Sequence, residues 1–239
     1  MSIAKLTRNF VESMDEAKLF TYNDIPSDNK KTVAIELSRL YKKGIIKKVS
    51  KGKFYKPKRR AFGEIEPSSS EKISSYIDSS SDEIAYETGL NSFRQLGLST
   101  QVAKTTTIAT KRAYKKVKID NIQIKFVPKR VDVSKDDIFL VQILDALKDI
   151  KKIPATTPEQ AFISLKNIIT NLSKNKQIKT AQYAMKYTPR TRALLGAILK
   201  DIGIWEEAYQ LKQTLNPMTK YKIGISKDIL PSKEYWNII

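Results

Sequence analysis

The chain has no cysteine and no histidine. Disulfides, thiolate nucleophiles, the usual zinc sites and imidazole acid–base chemistry are excluded together. An enzyme made of these residues is confined to carboxylates with magnesium, or to lysine, serine or tyrosine chemistry. Acids are scarce: 25 Asp and Glu stand against 44 Lys and Arg, a net charge of +19. No apolar run approaches the ~20 residues of a membrane span, and no glycine-rich loop of the phosphate-cradling kind occurs. Asp132, Asp136, Asp137, Asp145 and Asp149 follow helical spacing with lysines between them and lack the residue order of a metal nuclease. The expectation is a protein without catalytic residues, metal or cofactor. A metal-dependent nucleic-acid enzyme using that aspartate segment is the rival from another class.

What is present points to a polyanion. A length of 239 residues allows one large or two small domains, and 41% hydrophobic with 29% charged content fits a globular protein. A pI near 9.8 makes nucleic acid the simplest partner. A membrane surface is the weaker rival, because no long basic and aromatic amphipathic segment accompanies the charge. Residues 1–20 are amphipathic and carry acids, unlike a secretory signal or a transit peptide, so a cytoplasmic location is expected.

Charge divides the chain into three zones. Residues 1–60 hold 16 Lys and Arg against 6 Asp and Glu; residues 61–90 hold 7 acids and 1 Lys; residues 91–239 return to 27 basic against 12 acidic. The serine-rich stretch 68–81 has the composition of a linker, with an embedded KISSYI that can form one helical turn or more. The expected organisation is a first domain over 1–62, a linker over 63–82 and an α+β domain over 83–239. In the last, residues 82–97 read as a helix stopped by Gly97, and residues 105–110, 116–119 and 122–127 as strands. Asp120-Asn121 suits a hairpin turn between the last two. Helices follow over 137–150, from Thr157-Pro158, over 178–187, from Thr188-Pro189 to Gly203, and over 204–215.

Residues 20–60 carry the densest pattern. FTYNDIP reads as a short helix start. Ser27 or Asn29 can cap a helix beginning near Lys30 and ended by Gly44, with Val33, Leu37, Leu40 and Tyr41 as its buried face. Two β-rich runs follow, 45–49 and 53–56, around a tip of Ser50, Lys51 and Gly52. This order is a helix-turn-helix with a wing. The second helix of such a unit meets base edges in the major groove, which makes Lys31, Thr32 and Ile35 candidates for readout, Ile35 against a thymine methyl. Lys30 lies beside them, and Arg39 and Lys42 fall where phosphate passes. A wing needs positive charge at a tight turn over the backbone, which Lys47, Lys48, Lys51 and Lys53 supply.

Outside this unit, Arg190 and Arg192 sit in the first turn of a helix, where free N–H groups and two guanidiniums make a candidate anion site. Internal pairing with Asp201, Glu206 or Glu207 is the alternative.

The segments FTYNDIP, LSRLYKKGIIKKVSKGKFYKPK, GLSTQ, YTPRTRALLGAIL and LNPMTKYKIGIS, in that order, resemble the AbiEi-type antitoxins, the regulatory half of bacterial abortive-infection toxin–antitoxin pairs used in phage defence. The likeness runs from about Phe20 to the end. It implies a winged helix-turn-helix domain that binds operator DNA and represses its own operon, and a C-terminal α+β domain that functionally antagonises a nucleotidyltransferase-like toxin, a stable complex not being required. On the same resemblance, the DNA-binding segment falls on residues 30–43 and the wing on 47–56. A plain winged-helix transcriptional regulator with a ligand-sensing or oligomerisation domain is the rival within the binding class.

Overall fold

The computed structural model describes residues 2–60, 63–77, 84–111, 116–119 and 121–239. It is an α+β protein that divides into two compact units, Met1–Ser81 with Val117–Gln123, and Asp82–Lys116 with Ile124–Ile239. Among the described residues no helix is long and apolar enough to cross a membrane.

The first unit opens with α1 (Ile3–Ser13), whose first turn is closed by the Ser2 side chain accepting from the Lys5 N–H. Strand β1 (Leu19–Thr21), helix α2 (Lys30–Lys42) and the strands β2 (Lys47–Ser50) and β3 (Lys53–Tyr55) follow. The sheet is antiparallel in the order β1-β3-β2, with Phe20 opposite Phe54 and their rings 6.1 Å apart. Val11, Phe20, Ile25, Val33, Leu37, Leu40 and Ile46 form one core under it. Helix α2 is stopped by a left-handed residue, Gly44 at φ +70°, and the Ile45 N–H turns back to the Leu40 carbonyl at 3.1 Å.

Two expectations are corrected here. FTYNDIP starts no helix: its first residues enter β1, and residues 22–26 form a turn and bends. The Asp24 carboxylate accepts from the Thr21 N–H at 2.6 Å and its hydroxyl at 2.9 Å, and Ile25 is fully buried. A short acidic side chain that satisfies nearby backbone favours a turn over a helix. Residues 63–77 of the segment read as a linker are also folded, and residues 78–82 lie outside the described residues. After β4 (Lys58–Arg60), β5 (Gly63–Ile65) pairs with it antiparallel, and α3 (Ser69–Ile77) follows within the same unit. Ser68 caps α3 by accepting from the Glu71 N–H at 3.1 Å, and Ser68 to Glu71 has capping-box spacing. The serines begin a helix.

The second unit starts with β6 (Tyr86–Thr88) and a short helix α4 (Leu90–Gln95), where one helix over 82–97 was expected. Tyr86 and Thr88 alternate inward and pair with Ala109 and Thr107, so sheet pairing overrides the local helical pattern. With β7 (Thr105–Thr110) and β9 (Ile122–Pro128) the sheet order is β6-β7-β9; β8 (Val117–Ile119) is counted with the first unit. A helical cluster follows: α5 (Ile138–Lys148), α6 (Pro158–Thr170), α7 (Lys174–Ala184), α8 (Pro189–Asp201) and α9 (Trp205–Gln213). The side chains of Thr157 and Thr188 cap α6 and α8 ahead of a proline, as their sequence order requires.

Helix α8 is the centre of this core. Residues 193–199 are all buried in it, so it is apolar around nearly its whole circumference. Residues 216–239 wrap back over it: Tyr221 bridges Ile238, and Trp236 is 1% exposed. The Trp236 ring lies directly on Gly196 and leaves no space for a Cβ.

Gly196→Ala therefore tests this packing. Alanine gains up to ~1 kcal/mol of helix propensity, but overpacking against a buried tryptophan costs about 1–3 kcal/mol. The expected result is a net loss of stability in urea unfolding, with Trp236 fluorescence shifted to longer wavelength.

Candidate nucleic-acid interface

Helix α2 is the element on which the site is built. Asn29 caps it, its side chain accepting from the Thr32 N–H at 3.0 Å. Val33, Glu36, Leu37 and Leu40 face inward; Tyr41, expected with them, is 48% exposed, because the buried arc ends at Leu37 and extends the other way to Glu36. Glu36 is 2% exposed. Arg8 of α1 donates to it at 2.7 Å and Arg39 at 3.3 Å. The Arg8 hydrogen bond, against the opposing effect of burial, holds this carboxyl below the usual range.

With Glu36 pinned inward, Lys31, Ile35, Ser38 and Lys42 fall at 4-3-4 spacing on the outer face and all are exposed, Ile35 at 55%. Thr32 lies on the flank of this stripe and is half-buried. The β2–β3 hairpin turns at Lys51 and Gly52, with an irregularity between Lys48 and Ser50, and Lys48 and Lys51 are exposed.

Not every expected contact residue is free. Lys30 donates to the carbonyls of Asn23 at 3.3 Å and Ile25 at 3.0 Å, bracing the preceding turn. Arg39 is committed to Glu36. Lys47 pairs with Glu64 of β5, which Arg59 also approaches at 3.6 Å. Lys53 departs furthest from expectation. It is 8% exposed, its Nζ donates to the carbonyl and hydroxyl of Ser75 in α3, and it lies 3.3 Å from the centre of the Tyr76 ring. Strand alternation explains this: Lys53 and Tyr55 point into the unit while Phe54 lies between them. Burial, partly offset by Asp24, brings the Lys53 amine down to about 8. Lys31, Ile35, Lys42, Lys48 and Lys51 therefore remain as the outward-facing set, with Thr32 half-buried on its flank. Ser38 completes the stripe; its four- and three-residue spacing from Lys42 and Ile35 was the available signal.

Arg190 and Arg192 do not frame an open anion site. Arg190 donates to the carbonyl of Lys148, the last residue of α5, at 2.9 Å, and Arg192 to that of Thr214, which caps α9, at 3.5 Å. Helix C-termini carry partial negative charge, so both cations are drawn to neighbouring helix ends. The expected partner Asp201 pairs with Lys166 at 2.8 Å.

Asp145 and Asp137 are likewise committed. Asp145 is 4% exposed and accepts from Thr88 at 2.7 Å, Tyr187 at 3.2 Å and Tyr86 at 3.3 Å, with Lys148 at 3.3 Å. Burial, then Asp145, pushes both tyrosines well above their usual range. Asp137 accepts from Lys179 at 2.7 Å and from Tyr183 and Ser134 at 2.8 Å, and the Lys179 bond holds it below the usual carboxylate range. Among the described residues no group of three acidic side chains is placed to hold a metal ion.

The class defined by these observations is an α+β protein presenting a basic helix face. The family model described as "Family of unknown function (DUF6088)" matches residues 8–180, and the chain belongs to that family. None of the curated proteins matches it. Among solved structures it is similar to the "Crystal structure of RV2827C protein from Mycobacterium tuberculosis", at 10% identity, covering 93% of this chain and 85% of that one, with a TM-score of 0.48.

Two outcomes check the reassigned cations. The native state releases the Lys53 proton near pH 8 while the unfolded chain holds it to about 10.5, so this group's contribution to stability rises between those values. Lys53→Met removes that rise, seen by urea unfolding at pH 7.5 and 10. Arg190→Ala and Arg192→Ala should each cost about 1–2 kcal/mol in the same measurement, through lost charged hydrogen bonds to helix ends.

Proposed function

We propose that the first unit binds operator DNA by laying the outer face of α2 in the major groove, with the β2–β3 hairpin along the sugar–phosphate backbone. In this reading the protein represses its own operon in the cytoplasm and, through its second unit, antagonises a nucleotidyltransferase-like toxin, as the resemblance to AbiEi-type antitoxins implies.

The observation that carries DNA binding is the outward stripe Lys31–Ile35–Ser38–Lys42 on a helix whose other side is sealed into a core. A major groove about 12 Å wide admits a helix and displays thymine methyls to an apolar side chain such as Ile35. The element order, helix, strand, helix and hairpin with sheet order β1-β3-β2, supports a winged helix in which a turn and bends over 22–26 replace the helix before the recognition helix. Lys42, Lys48 and Lys51 are the phosphate contacts in this reading. The antitoxin role rests on the family motifs alone.

A second reading, regulation by a small ligand, is favoured by a cleft of about 790 Å³ in the first unit, lined by Phe10, Met14, Phe20, Lys53 and Ser74. It would show as operator affinity altered by a dialysable component of the cell.

Lys31→Ala with Thr32→Ala should narrow the gap between operator and random DNA by about 1–3 kcal/mol per lost base contact. Lys51→Ala should lower the slope of log affinity against log salt by about 0.9, and Lys53→Met should leave it unchanged. A wild-type slope in Lys51→Ala removes the hairpin from the interface. In cells, the Lys31/Thr32/Lys51 variant should lose repression and still protect against a toxin encoded beside it; loss of protection by this folded variant refutes the division of roles.

A further inference from the structure

The second unit carries an aromatic and basic surface that the DNA-binding reading does not use. On α9, Trp205, Tyr209 and Lys212 follow each other at spacings of four and three and line one face. Trp205 is 63% and Tyr209 61% exposed. Side chains of this size normally supply the largest burial in a fold, so two in line on an open helix face call for a partner. At the end of the stripe the Lys212 amine donates to the Tyr235 carbonyl and lies 4.8 Å from the centre of that residue's half-exposed ring. Lys200 approaches the same ring to 4.0 Å.

Cations gather at the Tyr235 end of this stripe. Burial, then repulsion from Lys220 and Lys200, holds Lys212 below the usual lysine range, which places three ammonium groups in one neighbourhood. Acids adjacent in sequence are committed elsewhere: Asp201 to Lys166 at 2.8 Å and Glu234 to Lys227 at 3.3 Å. Glu206 and Glu207 lie on another side of α9, lining a recess with Gln182 and Met185 of α7.

We infer that this surface binds single-stranded nucleic acid, with bases stacked on Trp205 and Tyr209 and phosphates held by Lys200, Lys212 and Lys220. Aromatic platforms flanked by cations are what sequence-tolerant single-strand binding requires. A duplex does not fit, because its bases are stacked about 3.4 Å apart along each strand and closed to side chains, whereas rings one helical turn apart are separated by about 5.4 Å. An acidic protein would satisfy the lysines but leaves two planar faces without planar partners. The surface is distinct from the α2 face and stands independently of the operator reading.

The chain's two tryptophans make the test direct. Trp236 is 1% exposed, so quenching on titration reports Trp205. The full chain is titrated with 12-nucleotide oligouridylate, oligothymidylate and a duplex of the same length, with anisotropy of labelled strands as the second readout. Quenching by the single strands is expected, and the two sugars separate an RNA from a DNA ligand. Trp205→Ala with Tyr209→Ala should weaken single-strand binding at least ~30-fold, two stacked bases being lost. Trp205→Phe should retain it within about fivefold by anisotropy. Lys200→Ala with Lys220→Ala should lower the single-strand salt slope by about 1.4. Operator affinity should not change in any of these variants; its absence in the wild type overturns the reading of the first unit and leaves this one intact. No quenching by either single strand, or wild-type affinity in the folded Trp205/Tyr209 variant, overturns the inference. Quenching by an oligoglutamate peptide in place of oligonucleotides assigns the surface to an acidic protein and overturns it as well.

Discussion

Glu36 is the constraint from which the first unit's geometry follows. A carboxylate on the core side of a helix is tolerated only with cations to satisfy it, and Arg8 and Arg39 supply them from α1 and from the same helix. This pairing, with Val33, Leu37 and Leu40 in the core, sets the rotation of α2 about its axis. The outer stripe is what remains after that rotation is set. Were Glu36 outward, Lys31, Ile35 and Lys42 would turn toward the flank and the helix would offer no continuous basic face.

The same reasoning separates lysines that hold the fold from lysines that face solvent. Lys53 ties β3 to α3 through Ser75 and Tyr76, and Lys30 braces the turn before α2. Lys47 joins β2 to β5 through Glu64. Each is committed to carbonyls or a carboxylate within the fold, so a net charge of +19 overstates the cations available to a polyanion. In the second unit Arg190 and Arg192 do comparable work at the C-terminal ends of α5 and α9. Their place in the first turn of α8 is electrostatically adverse on that helix alone and favourable once its neighbours are counted.

The two units use aromatic side chains in opposite ways. In the first, Phe10 meets the core residue Phe20 edge to face, and Phe54 lies tilted against Phe20. In the second, Trp236 closes over Gly196 while Trp205 and Tyr209 stay open on α9. One tryptophan secures the fold; the other is left to recognition.

Much of this was legible along the chain. The caps Asn29, Thr157 and Thr188, the stop at Gly44, the helices over 138–201 and the strands from 105 to 128 rest on local chemistry: a side-chain oxygen for a free N–H, a left-handed glycine, an apolar period. Local signals also placed Lys31 and Ile35 on the outer face. Other features needed the tertiary structure, because their causes lie far away in sequence. Tyr86 to Thr88 became a strand because of Ala109 and Thr107, and Glu36 turned inward because Arg8 waits 28 residues earlier. Lys53 was withdrawn from the surface by a helix more than a dozen residues on, within a segment whose serines looked like a linker. Composition and period determined which elements form and that the chain is basic. Only packing decided which charges are left to meet a partner, since a cation's availability depends on the distant carbonyls and carboxylates that reach it first.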